Sequence, residues 1–422
     1  MCDTLYAGSS VCAGGRSLFA KNSDRKPDEP QALMLTGRRE SGAQVRVGGR
    51  DFPIADKGFA YALSKPSWME GGEMGLNEAG VAIGNEAVFS RFPAAREGVL
   101  GMDILRAALA SAGDAEEALG FICDYTESHD QGGNGSFHGS LYYCNSYLIA
   151  DQVNAYVLET AGRRWAWRQI EGVGAISNAY SIETDYKRLD SATRKDISPV
   201  NEKAACSDEA DAGRKGRKDS WRGYVESRLR LRFTHGDERR AASLARLRGS
   251  AKGLSAEDIF ATLSLHTGRG RSRRPLVSTM RNLCMHAGGL LSQATTAGMV
   301  VEYLPGDGGN AVLWFSGTSY PCLSIYKPIL LIEGHFIPLW TDYDYAENST
   351  ASFDHWQRQR AWLNRGSNGE LGEDQAFRLR RDSSQAALRE VVERALRTGD
   401  PEGARTDVNA VVADWYRSLP SW

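Results

Sequence analysis

Cys2 carries two groups that can act together in catalysis once the residue before it is removed. The chain begins Met1-Cys2-Asp3-Thr4, and we expect Met1 to be trimmed because the second residue is small. A thiol with a reference pKa of about 8.5 then lies beside an α-amine of about 7.7 to 8.0. The amine can therefore take the proton of its own thiol without a histidine. A cysteine at position 2 is weak evidence alone, since most residues there have no catalytic role.

The segment that follows predicts a β-hairpin that would position this cysteine. A first strand turns around residues 12–15 and returns through Ser17–Arg25. In such a hairpin the numbers of paired residues sum to roughly 26 to 29, which places Lys21–Lys26 opposite Cys2. Asp24 can then accept a hydrogen bond from the α-ammonium, and Lys21 or Arg25 can favour the thiolate.

The chain shows no motif for other common catalytic chemistry. His-Glu-x-x-His, Gly-x-Ser-x-Gly, a Walker loop and a dinucleotide fingerprint are all absent from the sequence. Cys284 and His286 form a Cys-x-His pair without an evident further ligand, so we interpret them as a buried packing segment. We therefore expect no metal and no cofactor.

Composition and charge argue against nucleic acid and membranes as binding partners. The 51 basic and 53 acidic residues give a formal net charge of −2, which provides no field for nucleic acid or an anionic membrane. No secretory signal and no stretch of about 18 apolar residues is present, so we expect a cytoplasmic protein. The seven scattered cysteines indicate reduced thiols.

Hydrophobic patterning predicts mixed α and β structure. Short strands and tight turns extend to about Asn178, with one helical stretch from about Leu100 to Ser128. Residues 201–232 contain a basic run without periodicity and are predicted to be an exposed insertion. The last part of the chain predicts helices, which would cover a sheet edge or form a subunit contact, so a homo-oligomer stays open.

Several separated motifs together resemble the secernin and dipeptidase A family of cysteine peptidases, within the N-terminal-nucleophile hydrolase superfamily. They occur in the same order over about residues 2–330. The motifs are Cys2–Thr4, Lys21–Arg25, Ser64–Trp68, Glu73–Val88, Gln131–Asn134, Asn145–Asp151, Leu158–Gly162, Ile176–Asn178, Cys284–Gly289 and Ser316–Thr318.

The resemblance implies an α+β fold, a four-layer αββα sandwich of two antiparallel sheets with helices outside. The nucleophile would stand at the start of a central strand. We accordingly expect a hydrolase domain over residues 2–335, including the insertion at about 201–232, and a mostly helical C-terminal extension over residues 336–422.

The resemblance also implies roles for individual residues. Cys2 would be nucleophile and base, and Asp24 would orient its amine, while Lys21 stands where related acylases carry a catalytic arginine. Asn85 and Asn178 would supply amide donors to the oxyanion, each worth about 2.7 to 4 kcal/mol of barrier. The distal arginine of the superfamily is matched loosely, at Arg239.

The function implied is dipeptidase activity on a small peptide, with the free amine of the substrate bound by a carboxylate such as Glu73 or Asp3. Two alternatives remain. One is an acylase for non-peptide amides, as in penicillin and bile-salt acylases, and the other is a secernin-like regulatory protein without peptidase activity.

Overall fold

The computed structural model describes residues 1–39, 44–47, 49–53, 58–197, 220–227, 234–250, 253–266, 280–287, 293–306, 308–366 and 374–419. The strands are β1 (Cys2–Ala7), β2 (Ser17–Arg25), β3 (Gln31–Thr36), β4 (Gln44–Val47), β5 (Arg50–Pro53), β6 (Tyr61–Pro66), β7 (Met74–Asn77), β8 (Ala82–Val88), β9 (Cys144–Ala150), β10 (Ala155–Ala161), β11 (Arg164–Gln169), β12 (Val173–Ser177), β13 (Arg188–Leu189), β14 (Ala294–Tyr303), β15 (Ala311–Phe315), β16 (Lys327–Ile332) and β17 (His335–Pro338). The helices are α1 (Gly101–Ser111), α2 (Ala115–Ser128), α3 (Ser191–Asp196), α4 (Trp221–Val225), α5 (Gly236–Arg248), α6 (Ala256–Leu263), α7 (Thr350–Gly366), α8 (Gln375–Thr398) and α9 (Pro401–Ser418).

Most strands belong to two antiparallel sheets. The first has seven strands in the order β12-β1-β2-β14-β15-β16-β17, and the second has eight in the order β13-β11-β10-β9-β8-β7-β6-β3. Strands β4 and β5 form a separate ribbon. The nucleophile candidate thus lies at the start of β1, an inner strand of the first sheet.

The two sheets pack face to face between helical layers. One apolar cluster joins inward side chains of both sheets, including Phe19, Leu148 and Val301. A second joins the outer face of the eight-stranded sheet to α1 and α2, and a third joins the outer face of the seven-stranded sheet to α5–α9. These layers confirm the predicted α+β sandwich of two antiparallel sheets with helices on both outer faces.

Side-chain alternation along β1 and β2 decides which residues meet. Cys2 pairs with Ser23 and Thr4 pairs with Lys21, so these side chains share the face that looks toward the other sheet. Asp3 and the other odd-numbered positions of β1 face the helices instead. The pair sum is 25, slightly below the predicted 26 to 29, because the connection between the strands is centred between Cys12 and Ala13 rather than within residues 13–15.

The predicted elements need three corrections. The single helical stretch near Leu100–Ser128 is two helices, because Asp114 caps a new helix by accepting from the Glu117 amide. The described part of the insertion, residues 220–227, is not fully exposed, since Trp221 and Val225 are buried; the rest of 201–232 lies outside the described residues. The first sheet continues through β17, past the predicted boundary at residue 335.

The C-terminal helices are part of the main core rather than an appendage. Buried side chains of α7, α8 and α9, such as Trp362, Val392 and Trp415, belong to the same cluster as Val300 and Val312 of the first sheet. None of the described helices combines the length and the apolar character needed to cross a bilayer.

Candidate active site

A cleft of about 450 Å³ opens at the end of the inter-sheet space where β1 begins. Its volume is within the usual range for small-molecule sites. Predicted site residues and previously unassigned charged and aromatic residues both line it. Among them are Cys2, Asp24, Arg25, Glu29, Glu73, Asn85, Phe89, Phe137, Leu141, Tyr142, Tyr143 and Asn178.

The Cys2 thiol lies at this cleft and is nearly buried, with 4% of the residue exposed. Its Sγ is 3.5 Å from Oε2 of Glu73. Burial raises the pKa of the Cys2 thiol to about 12, and Glu73 adds to the rise while Lys21 opposes it. With Met1 still attached, the sulfur is therefore a protonated thiol at neutral pH.

The backbone nitrogen of Cys2 is held by Asn178. That nitrogen donates to Oδ1 of Asn178 at 2.7 Å, while Nδ2 of Asn178 donates to the carbonyl oxygen of Ala87 at 2.9 Å. These two bonds fix which end of the amide faces Cys2. In this structure Asn178 thus acts as an acceptor for the nitrogen of Cys2, and one of its two amide hydrogens is donated to Ala87.

Arg239 joins the site through Asn178. It is fully buried in α5, where Nη2 donates to Oδ1 of Asn178 at 2.8 Å and Nε donates to Oδ2 of Asp3 at 2.9 Å. Its remaining donors bind Ser177 and the carbonyl oxygens of Thr234 and Met280. All five guanidinium donors are thereby used, and Arg239 is not among the residues that line the cleft.

Asp24 lies beside the N-terminus, as predicted. Its backbone carbonyl accepts a hydrogen bond from the Met1 ammonium at 2.6 Å, and its Oδ1 accepts from Thr295 Oγ1 at 2.5 Å. Its Oδ2 is buried and has no hydrogen-bond partner within the described part of the chain. Burial raises the pKa of Asp24 to about 7, although the N-terminal ammonium opposes the rise. An α-ammonium on Cys2 would supply a cation for this carboxylate.

Lys21 occupies a buried ionic cluster behind the thiol. Its Nζ is 3.2 Å from Oε1 of Glu86 and 3.9 Å from Oε2 of Glu73, and Thr4 also donates to Glu86. Burial favours the neutral amine, but the attraction of the Glu86 and Glu73 carboxylates and a hydrogen bond with Cys2 outweigh it and raise the pKa of Lys21. Lys21 therefore stays cationic near the thiol, as a group that favours thiolate should.

Asn85 lines the cleft, but its amide donor points elsewhere. Nδ2 lies 3.2 Å from Oδ1 of Asn145 and 3.4 Å from Sδ of Met102. A relay fixes this orientation: Asn145 donates to Gln131, which donates to the Gly162 carbonyl oxygen. Oδ1 of Asn85 is buried with no partner among the residues described. Its role as an oxyanion donor stays a prediction and requires the amide to rotate.

Sequence reasoning missed Glu29 and Glu86 and the ion pairs of Arg25. Arg25 Nη1 is 2.8 Å from Glu73 Oε1, and Arg25 Nη2 is 2.6 Å from Glu29 Oε1. Glu73 and Asp3 were both candidates for binding a substrate amine, and only Glu73 lines the cleft. Asp3 faces Arg239 on the other side of β1. Lys21 and Arg25, two cationic side chains four residues apart on one face of a buried strand, were the signal for this cluster.

A separate correction concerns Cys284 and His286. The interpretation that this pair lacks further ligands was wrong, because the fold brings His266 and Cys322 to it. The four residues come from three distant segments, so no spacing in the sequence could reveal the group.

Comparison with known proteins gives distant likenesses only. No protein-family profile matches the chain. A mutant of conjugated bile acid hydrolase from Clostridium perfringens is similar over 75% of this chain and 88% of its own, with 11% identity and a TM-score of 0.40. The N-acylethanolamine-hydrolyzing acid amidase ortholog from Caenorhabditis elegans is similar over 72% of this chain and 94% of its own, with 10% identity and a TM-score of 0.37. The specific resemblance to secernins and dipeptidase A stays a prediction from the motifs.

Proposed function

We propose that this chain is a cysteine amidohydrolase that cleaves a small peptide amide with Cys2, after removal of Met1. The observation that carries the proposal is the setting of Cys2 at the base of the cleft. Its nitrogen is held by Asn178 at 2.7 Å, and its sulfur lies beside Glu73 and Lys21. The nitrogen that would become the catalytic amine is thus already positioned.

Removal of Met1 changes the chemistry of this nitrogen. The amide of Cys2 becomes an α-amine, which can take the proton from Sγ, and the space of the Met1 side chain is freed within the cleft. The reference pKa of such an amine, about 7.7 to 8.0, lets it act as a base near neutral pH. Asp24, with an unpartnered buried oxygen, would hold the resulting ammonium.

The reaction then proceeds as acyl transfer. The Cys2 thiolate adds to the substrate carbonyl carbon, and the α-ammonium gives its proton to the leaving amine as the C–N bond breaks. Water, deprotonated by the α-amine, next attacks the thioester, and the carboxylic acid product leaves as Sγ takes back a proton. The α-amine gives up each proton that it takes, first to the leaving amine and then to Sγ, so no further acid or base is needed.

Charge around the cleft favours a substrate with a free amine. Glu29 and Glu73 line the cleft and share one cation, Arg25. These two carboxylates can therefore also bind the ammonium of an unmodified dipeptide. This arrangement supports a dipeptide over an uncharged amide.

One observation favours the non-peptide acylase as a second candidate. Phe89, Phe137, Leu141 and Tyr142 line the same cleft and would suit an apolar acyl group. Hydrolysis of matched substrates separates the two candidates: free dipeptides, their N-acetylated forms, and fatty-acyl or bile-acid amides.

The test is steady-state hydrolysis by wild-type protein, Cys2→Ser and Cys123→Ser. We expect free dipeptides to exceed their N-acetylated forms in kcat/KM by about tenfold or more, equivalent to about 1.4 kcal/mol. Cys2→Ser should lose activity by about 10³-fold or more. Cys123 is a buried thiol in α2, so its variant should retain activity. Turnover of apolar acyl amides alone would favour the acylase, and no turnover by processed protein would favour a regulatory protein.

A further inference from the structure

A second group of reactive side chains lies outside the cleft, on the helix-facing side of the first sheet. His266, Cys284, His286 and Cys322 each offer one ligand atom, and these atoms all lie within 4.8 Å of one another. Three of the residues are buried and His266 is partly buried. Two thiols and two imidazoles at such distances are the donor set of a structural zinc site.

The distances fit a tetrahedral metal without large rearrangement. Zn–N and Zn–S bonds of about 2.0 to 2.3 Å place neighbouring ligand atoms about 3.3 to 3.8 Å apart. The Cys284 Sγ to His286 Nε2 distance is 3.6 Å and the His286 Nε2 to Cys322 Sγ distance is 3.2 Å. We propose that His266, Cys284, His286 and Cys322 bind one Zn²⁺ ion.

Electrostatics favours this ion in a buried position. Two thiolates and two neutral imidazoles balance the charge of Zn²⁺, so the complete site is neutral and avoids the cost of burying a net charge. Binding to two thiols releases two protons, so the site loads better as pH rises. Nε2 of His266 is buried and lacks a hydrogen-bond partner in the described ranges, which a metal or a neighbouring thiol would supply.

The site would join three segments that support the cleft. His266 follows α6, Cys284 and His286 lie in the described segment 280–287, and Cys322 lies in a short 3-10 helix after β15. The amides of Leu283 and Cys284 already donate to the carbonyl oxygen of Leu265. A metal would therefore fix a junction that the protein otherwise holds by a few hydrogen bonds.

A direct chain of contacts leads from this junction to the candidate active site. The Met285 amide donates to Thr295 Oγ1, and Thr295 Oγ1 donates to Asp24 Oδ1. Met280, at the start of the same segment, lines the cleft. The zinc site is therefore expected to act as a structural support for Asp24 without contacting the substrate.

The competing explanations are a packed group of reduced thiols and a disulfide between Cys284 and Cys322. Both cysteines are free in the structure. A disulfide would remove two hydrogens and lower the mass accordingly, whereas zinc would protect both thiols from alkylation until a chelator is added under denaturing conditions. A disulfide is thus recognised by its lower mass, and a zinc site is recognised by thiols that react only after chelation.

The experiment measures metal content of the full-length protein purified with Zn²⁺ in the growth medium. We expect about one zinc per chain in wild type and in Cys2→Ser and Cys123→Ser. Cys322→Ser and His286→Ala should bind zinc at least about tenfold more weakly. Because Cys2→Ser removes the proposed nucleophile and keeps the metal, failure of either proposal is recognisable separately.

Two further measurements use the wild-type protein, so that the proposal can be tested even if the variants fail to fold. Metal-free wild type titrated with Co²⁺ should show thiolate-to-cobalt charge transfer and the visible bands of a tetrahedral site, and chelation of the zinc form should lower its Tm. Absence of cobalt bands together with absence of zinc would overturn the proposal. So would a mass showing a Cys284–Cys322 disulfide in protein kept under reducing conditions, or loss of zinc in Cys2→Ser but not in Cys322→Ser.

Discussion

The two ends of the inter-sheet space are built on the same strands and yet are chemically opposite. At one end Tyr6 and Phe19 face an apolar cluster that includes Leu148 and Val301. At the other end Thr4 and Lys21, one alternate position along the same strands, meet Glu86 of the opposing sheet. Strand alternation and register are continuous between the two ends, so the difference resides in the side chains alone.

The comparison shows that the ionic end, and not the apolar end, carries the free-energy cost of burying charged side chains. Apolar side chains at one end gain about 25 cal/mol for each Å² removed from water. Buried ions at the other end must be desolvated, and their mutual attraction often only balances this penalty. The ionic end borders the cleft and the apolar end does not, so we interpret the ionic end as a feature retained for function rather than for stability.

The largest expected loss of stability comes from removing the buried cation at the ionic end. Lys21→Met leaves the buried carboxylates of Glu86 and Glu73 without their shared cation, and should lower the free energy of unfolding by about 3 to 5 kcal/mol. Adding Glu86→Gln should recover part of this loss. Denaturant unfolding measures both, and equal stability of Lys21→Met and wild type would contradict the account.

The matched control changes the apolar end. Phe19→Leu removes part of a fully buried ring and should destabilise by about 1 to 3 kcal/mol, while the folded fraction keeps its hydrolytic activity. Lys21→Met should lose activity even in its folded fraction. If Phe19→Leu lost activity to the same degree, the functional distinction between the two ends would be untenable.

An intermediate effect is expected where a missing side chain makes room for Lys21. A Cβ built on Gly84 would lie 2.7 Å from Lys21 Cδ and 2.9 Å from Thr4 Oγ1. Gly84→Ala should therefore destabilise by about 1 to 3 kcal/mol through overpacking. Gly120 lies in α2 with no heavy atom within 4 Å of such a Cβ, so Gly120→Ala should be neutral or stabilising by up to about 1 kcal/mol. Thermal unfolding of both variants checks the contrast, and equal shifts would refute it.

The last prediction concerns the pH dependence of stability. Asp24 has its pKa raised from 3.8 to about 7, first of all by burial, so the folded protein binds this proton more tightly than the unfolded chain. The stabilising contribution is complete below pH 4 and is lost as pH rises through about 7. Relative to Asp24→Asn, wild type should lose stability between these values. Parallel unfolding profiles of the two proteins over pH 4 to 8 would show that Asp24 does not titrate this way.

Much of the fold was accessible from the sequence because its signals are local. The hairpin that carries Cys2, the tight turns at 77–80 and 151–154, and the strands between them follow from turn residues and alternation. The insertion was harder, since burial of Trp221 depends on contacts with distant residues such as Glu159. The break between α1 and α2 depends on one cap at Asp114, which a periodicity average conceals.

The candidate site also contains some residues whose proximity was predictable from local pairing and others whose contacts depend on the tertiary fold. Cys2, Lys21 and Asp24 come from one hairpin, so their proximity could be predicted from strand pairing. The Asn178–Arg239 contact joins β12's end to α5, and the direction of the Asn85 amide depends on a relay through Asn145 and Gln131. Such orientations are set by tertiary hydrogen bonds and have no local sequence signal.

The most direct test of the central claim is the intact mass of purified wild-type protein, with N-terminal peptide mapping, before and after a thiol-reactive peptide electrophile. Cys2→Ser serves as the control. The account predicts loss of Met1, one adduct located at Cys2, and no adduct in the control. Retained Met1, or adducts at other cysteines with Cys2 unmodified, would contradict a role for Cys2 as the nucleophile.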